Sequence, residues 1–228
     1  MRATVSTRTA RLVGGLVVLA GLVAGALAWP ELPGTMDVHW SAAGEADGTA
    51  PKAVGALLFP ALSVTLMAVF GVLPRIDPLG ENVAEFRRHY DTFVLLLVVF
   101  LMAVHGIVLA VNLGVDVPMT PITLVATGGL LAYAGVLLGH AEPNWFVGVR
   151  TPWTLSSERV WRRTHDVGGP LFAVAGVVLA LAGIAGWALE ATVLLTGGIG
   201  YVLLTAGVIV SYSYYCYHAI EEPGDVST

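Results

Sequence analysis

Charge is what this chain has least of. Only 12% of its 228 residues are Asp, Glu, Lys or Arg, about half the share of an ordinary soluble domain. The net charge of −5 excludes the basic surface that nucleic-acid binders carry. A single cysteine, Cys216, excludes an internal disulfide and any paired-cysteine metal motif. It reads as a small apolar residue near the end of the last hydrophobic run, with acylation of a juxtamembrane thiol as the alternative. The chain also lacks His-Glu-x-x-His, Gly-x-Ser-x-Gly and a phosphate-binding glycine loop. No carboxylates pair deep within a hydrophobic run, and Ser156-Ser157 with His165 is too generic to serve as nucleophile and base. These absences predict no enzyme activity and no cofactor.

Apolar residues fill the space, at 56% of the chain. A bilayer core about 30 Å thick takes about 20 helical residues. Six runs meet that length: Leu12–Trp29, Ala53–Leu73, Thr92–Gly114, Pro121–Gly139, Gly169–Leu189 and Thr192–Tyr212. The expected fold is all-α, a polytopic bundle of six transmembrane helices forming one integral domain over residues 1–228. The last two runs nearly touch, which predicts a tight hairpin with Glu190 at its tip. Gly14/Gly15, Gly128/Gly129 and Gly197/Gly198 are candidate points of close helix approach, against a background in which glycine is generally common in membrane helices.

Positive charge is distributed on one side. Arg2, Arg8 and Arg11 precede the first run, Arg75, Arg87 and Arg88 follow the second, and Arg150, Arg159, Arg162 and Arg163 follow the fourth. Of eleven Lys and Arg residues only Lys52 falls on the other side. The positive-inside rule then places both termini in the cytoplasm of a multi-pass cell-membrane protein. A rival reading of the first run is a secretory signal ending at Ala26-Leu27-Ala28, but its apolar stretch exceeds the usual 7–15 residues.

Three polar regions interrupt the runs. The outer segment Pro30–Lys52 carries Asp37, His39, Trp40, Gly44, Glu45 and Asp47. It reads as a solvated loop folded over the bundle; oxygen and nitrogen ligation of a divalent ion is the rival chemistry, without a recognised metal spacing. The inner segment Pro74–Asp91 begins with two prolines that rule out regular helix. After Gly80 it turns helical, with Phe86, Tyr90 and Phe93 on one face and Glu85 spaced to pair with Arg88 or His89. Pro60 predicts a late start or a kink in the second span. Pro118, Pro121 and Pro170 sit near span starts.

The third region, Ala141–Gly168, holds Trp145, Trp153 and Trp161 beside four arginines, a composition suited to the headgroup layer. Thr154 is placed to cap a short helix running to about His165. Within the spans, His105 is an ionisable residue at depth. A neutral ring bonded to Thr127, Tyr133 or a backbone carbonyl is its ordinary explanation. Asn112, two turns on, would line the same polar cavity, and such a cavity supports a small transporter or permease-like protein as the alternative function. His140 and His218 fall at inner ends, within reach of water.

The run Asn144…Gly148-Val149-Arg150-Thr151-Pro152-Trp153-Thr154…Trp161…His165…Gly168-Gly169 resembles the signature of the SdpI family. The segment Leu32-Pro33-Gly34…Val38-His39-Trp40…Gly44…Asp47-Gly48…Lys52, with Pro74-Arg75-Ile76-Asp77-Pro78, resembles the membrane domain of unknown function that often precedes it. Residues 1–91 would correspond to that domain and 92–228 to the SdpI region. The resemblance implies an immunity or signal-transduction protein that senses or resists an extracellular peptide toxin. It also implies membrane lipid and a cytoplasmic transcriptional repressor as partners. Asn144, Gly148, Arg150, Thr151, Pro152, Trp153, Trp161 and His165 would then form a cytoplasmic contact surface, with His39, Trp40, Gly44 and Asp47 shaping the outer one.

Overall fold

The computed structural model describes residues 6–41, 43–186 and 191–221. The expected turn at Glu190 and the acidic C-terminal tail lie outside them. The elements are α1 (Thr7–Ala28), β1 (Thr35–Trp40), β2 (Ala46–Pro51), α2 (Lys52–Ile76), α3 (Gly80–Glu85), α4 (Arg87–Asn112), α5 (Met119–Leu138), α6 (Pro152–Ser156), α7 (Glu158–Ala185) and α8 (Ala191–Glu221). Six of these helices, α1, α2, α4, α5, α7 and α8, are long and apolar enough to cross a membrane. Much of their surface is exposed hydrocarbon, including Leu16, Leu57, Leu181 and Leu203. A bilayer is the solvent that makes such a surface stable.

The spans fall where expected, but their ends differ. Helix α2 runs through both Pro60 and Pro74 to Ile76, so neither proline ends it. A proline removes one intrahelical hydrogen bond, and packed neighbours tolerate that loss within a membrane bundle. The fifth span begins at Glu158, with Pro170 inside the helix rather than at its start. Two short caps replace the single helix expected from Thr154 to His165. Thr151 caps α6 in a reciprocal box with Thr154, and the Ser157 side chain accepts from the Val160 N–H to start α7. The ion pair on the α4 start is Arg87–Asp91.

The outer segment is a β-hairpin rather than a loop. β1 and β2 pair antiparallel, from Thr35 opposite Pro51 to Trp40 opposite Ala46. Gly44, with φ of +82°, makes the turn. Two strands alone are marginal in water. Here Leu32 and Met36 insert among Ala56, Val108 and Leu109, which seats the hairpin on the ends of α2 and α4.

Helices α5 and α7 make the closest contact in the protein. Gly128, Ala132, Gly135 and Gly139 face Gly169, Ala173, Gly176 and Ala180, and Gly183 continues the α7 series against Pro121 and Val125. Both series advance by alternating steps of four and three residues, the 3.5-residue period of a left-handed coiled pair. No room is left at Gly128, Gly135 or Gly176 for a side chain. A methyl on Gly176 would lie 2.2 Å from the Ala132 nitrogen, one on Gly135 2.2 Å from the Ala173 nitrogen, and one on Gly128 2.4 Å from the Ala180 nitrogen. The glycine doublets expected to pack divide in two. Gly128 meets backbone, Gly198 meets the Leu179 side chain and Gly14 meets Met67, while Gly129, Gly197 and Gly15 face open space.

Gly176→Leu should therefore lower the thermal midpoint of the detergent-solubilised protein, by the equivalent of about 1–3 kcal/mol or more for overpacking. Gly129→Ala should stay within about 0.5 kcal/mol of the parent, as surface changes do. Equal effects of the two would contradict the packing.

Candidate functional site

The arginine-bearing ends of the helices converge on one buried knot. The chain leaving α5 turns around Asn144, whose side chain is fully engaged. Its Nδ2 donates to the carbonyls of Glu142 and Val147, both at 2.8 Å. Its Oδ1 accepts from the N–H groups of Phe146 at 2.9 Å and Val147 at 2.7 Å. An amide, with two donors beside an acceptor oxygen, suits this pocket, and an ionised carboxylate would set an acceptor against carbonyls.

Gly148 follows with φ of +128°. A methyl there would lie 2.6 Å from His165 Nε2 and 2.9 Å from Trp161 Cη2. The absence of a side chain lets Val149 N–H donate to His165 Nε2 at 2.9 Å. His165 Nδ1 lies 2.8 Å from the Trp161 carbonyl. An acceptor on one side and a donor on the other define a neutral ring with its proton on Nδ1. Trp161 stacks on that ring at 4.1 Å and donates from Nε1 to the Ala141 carbonyl at 2.7 Å.

The same loop holds α8, the C-terminal end of α2 and the N-terminal end of α4. Thr151 Oγ1 lies 3.1 Å from Ser213 Oγ, and Ser213 in turn donates to Val210. Trp153 packs edge-on against Tyr214 at 5.1 Å. Asp77, between α2 and α3, accepts from Leu79 N–H and Trp145 N–H. Asn82 donates to the Pro143 carbonyl at 2.7 Å. Val83, Phe86 and Tyr90 pack with Leu137, Ala141 and Trp161 in one apolar cluster, and the Tyr90 hydroxyl donates to the Phe70 carbonyl at 2.6 Å. Thr7 of α1 donates to Asp91.

Asn144, Thr151, Trp161 and His165 are thus buried, and they hold the loop from within instead of offering a contact surface. Arg150 and Pro152 are exposed and Trp153 is half-buried. Sequence reasoning passed over Asn82 and Ser213 as partners. The Asp77 turn between two prolines was the available signal.

At the opposite end, His39 Nδ1 contacts Asp47 Oδ1 across the hairpin, and both side chains are largely exposed. A cavity of about 250 Å³ opens beside His39 and Trp40, walled by Phe59, Val104, Val108 and Leu124. Asp37 is tied elsewhere. Its N–H donates to Asn112 Oδ1 at 2.8 Å, and its carbonyl accepts from Asn112 Nδ2 at 2.9 Å. Among the described residues no three His, Cys, Asp or Glu side chains converge as metal ligands.

His105 and Asn112 of α4 do not meet in one polar cavity. Asn112 clamps the hairpin, whereas buried His105 places Nε2 3.2 Å from the Gly21 carbonyl of α1. Gly21 and Gly25 lie beside that ring, and a methyl on Gly21 would come within 2.6 Å of Met102 Sδ. A backbone carbonyl was one of its three expected partners. Near the arginine-bearing end His89 and His140 stack at 4.0 Å. Cys216 is buried, consistent with a packing role.

Residues 140–213 match the family model described as the SdpI/YfhL protein family. Residues 16–64 match the domain of unknown function DUF1648. The chain is 23% identical over 205 residues to the Immunity protein SdpI of Bacillus subtilis (strain 168), covering 88% of this chain and 93% of that protein. No solved structure matches.

Asn144→Asp should destabilise the folded protein by about 1–3 kcal/mol, the cost of buried polar groups left unpaired, read as a lower thermal midpoint. Arg150→Gln, on an exposed side chain, should stay within about 0.5 kcal/mol. An unchanged midpoint for Asn144→Asp would remove the structural role assigned to the knot.

Proposed function

We propose, for a chain that carries an SdpI/YfhL-family region behind a DUF1648 region, that it is a cell-membrane immunity protein responding to an extracellular peptide. The relative's name supports the immunity part of this reading. The arginine distribution supports an arrangement with both termini and the knot on the cytoplasmic side. In this arrangement the hairpin, with His39, Trp40, Gly44 and Asp47, faces outward beside its cavity and receives the peptide. Arg150, Pro152 and Trp153 form the accessible part of the inner surface, available to a cytoplasmic transcriptional repressor. Asn144, Gly148, Thr151, Trp161 and His165 set the shape of that surface. Residues 1–228 act as one integral domain.

The observation that carries this reading is the bridge made by Asn112. One amide grips both backbone polar groups of Asp37, and it sits at the outer end of α4. The inner end of the same helix enters the knot through Tyr90. A peptide that shifts the hairpin therefore acts on a continuous helix that terminates at the inner surface. Such a ligand transmits only what it gains by binding one arrangement better than the other.

Two outcomes follow. In a bacterium deprived of its own immunity protein and exposed to the peptide which that protein resists, this chain should restore growth. Asn112→Leu should lose that protection at an unchanged level of protein in the membrane; full protection by the variant would reject the coupling. An impermeant thiol reagent on whole cells should label Thr49→Cys and spare Ser156→Cys, and the reverse pattern would invert the proposed orientation.

A further inference from the structure

The knot has a neighbour that the immunity reading does not use. A cavity of about 490 Å³ is lined by residues of α2, α4, α5, α7 and α8, a volume typical of small-ligand sites. Phe93, Leu138, Phe172, Ile209 and Val210 contribute to its walls, and Gly148, Val149, Arg150 and Thr151 of the knot line it as well. Phe146 and Val210 are exposed, so the cavity is a groove opening to the side of the bundle. Its polar side chains are those of Thr151 and Arg150. The Thr151 hydroxyl is already engaged by Ser213 and Thr154. Arg150 is exposed and makes no ion pair or side-chain hydrogen bond with the described residues.

We propose that this groove seats one acyl chain of an anionic phospholipid, with the phosphate held by the Arg150 guanidinium. The apolar walls belong to membrane-spanning helices, and Arg150 belongs to the connection outside them. The groove therefore passes from the headgroup layer into hydrocarbon, as an acyl chain does. A peptide in the same place would bring backbone N–H and carbonyl groups that the walls cannot satisfy. Methylenes ask for no partner. Arginine matches phosphate in a two-pronged geometry, and basic pockets between membrane helices are known lodgings for lipid headgroups. The seam it occupies joins α4, whose helix carries the outer clamp, to α8, so a bound chain fills the space between the two.

The proposal is independent of the immunity reading and is tested by binding alone. Delipidated full-length protein in detergent is titrated with dioleoyl phosphatidylglycerol, dioleoyl phosphatidylcholine or inorganic phosphate, and its thermal midpoint is followed. Phosphatidylglycerol should raise the midpoint more than phosphatidylcholine, and inorganic phosphate should not. Arg150→Gln should weaken phosphatidylglycerol binding roughly tenfold, as loss of a charge-assisted hydrogen bond implies, and leave phosphatidylcholine unaffected. Ala206→Phe, which fills the groove and keeps the arginine, should diminish the response to both lipids. Native mass spectrometry of Arg150→Gln provides a second reading through the number of phosphatidylglycerol molecules retained. Equal shifts with the two lipids, an undiminished phosphatidylglycerol response in Arg150→Gln, or a shift reproduced by inorganic phosphate would each overturn the proposal.

Discussion

Backbone contact between α5 and α7 is the constraint from which the inner half of the protein follows. In hydrocarbon, helices gain nothing by hiding apolar side chains from one another. They associate by close packing, and small residues permit the closest. The series Gly128, Ala132, Gly135, Gly139 against Gly169, Ala173, Gly176, Ala180 leaves nothing larger than a methyl along this stretch of the seam. It also sets the register. Gly139, at the end of α5, lies against Gly169, which is eleven residues into α7, or about 16 Å at 1.5 Å per residue. The first turns of α7 must therefore project beyond α5. Trp161 and His165 lie on that projection, and the chain leaving α5 folds back onto them.

The projection explains why the knot is made of polar groups that do not face solvent. A returning loop carries backbone N–H and carbonyl groups that need partners once buried. Asn144, His165, Trp161, Thr154 and Asp77 each provide one or more of them. Arginines around the knot stay at the surface, where Arg162 pairs with Glu158 and Arg150 has no ion-pair partner among the described residues. At the other end the logic repeats on a smaller scale. Asp37 would leave a strand edge unsatisfied, and Asn112 completes it. Helix α4 spans the distance between these two polar assemblies.

The six spans and the side bearing the arginines were legible in the sequence, because a bilayer imposes length and composition directly. Helix ends were less so. Gly169 marks where α7 meets the end of α5, not where the helix begins, and hydropathy responds to the first of these only. The hairpin had a visible signal in the alternation of Met36, Val38 and Trp40 with Asp37 and His39. Two isolated strands seldom stand alone, and the clamp that steadies these comes from Asn112, far along the chain. Trp161 and His165 stood out as residues, but their burial did not, since the arginines beside them pointed to an exposed interface. Which glycines pack was likewise hidden. Gly128 and Gly129 are adjacent in sequence and differ by the 100° that one residue turns a helix.

The close seam is open to direct measurement. Magic-angle-spinning NMR of the protein in lipid, with glycine carbons labelled, should show through-space cross-peaks from Gly135 to Gly169 and from Gly128 to Gly176. Their presence is what backbone contact between α5 and α7 requires. Resolved glycine signals without either cross-peak would contradict it, and with it the projection of α7 on which the buried knot depends.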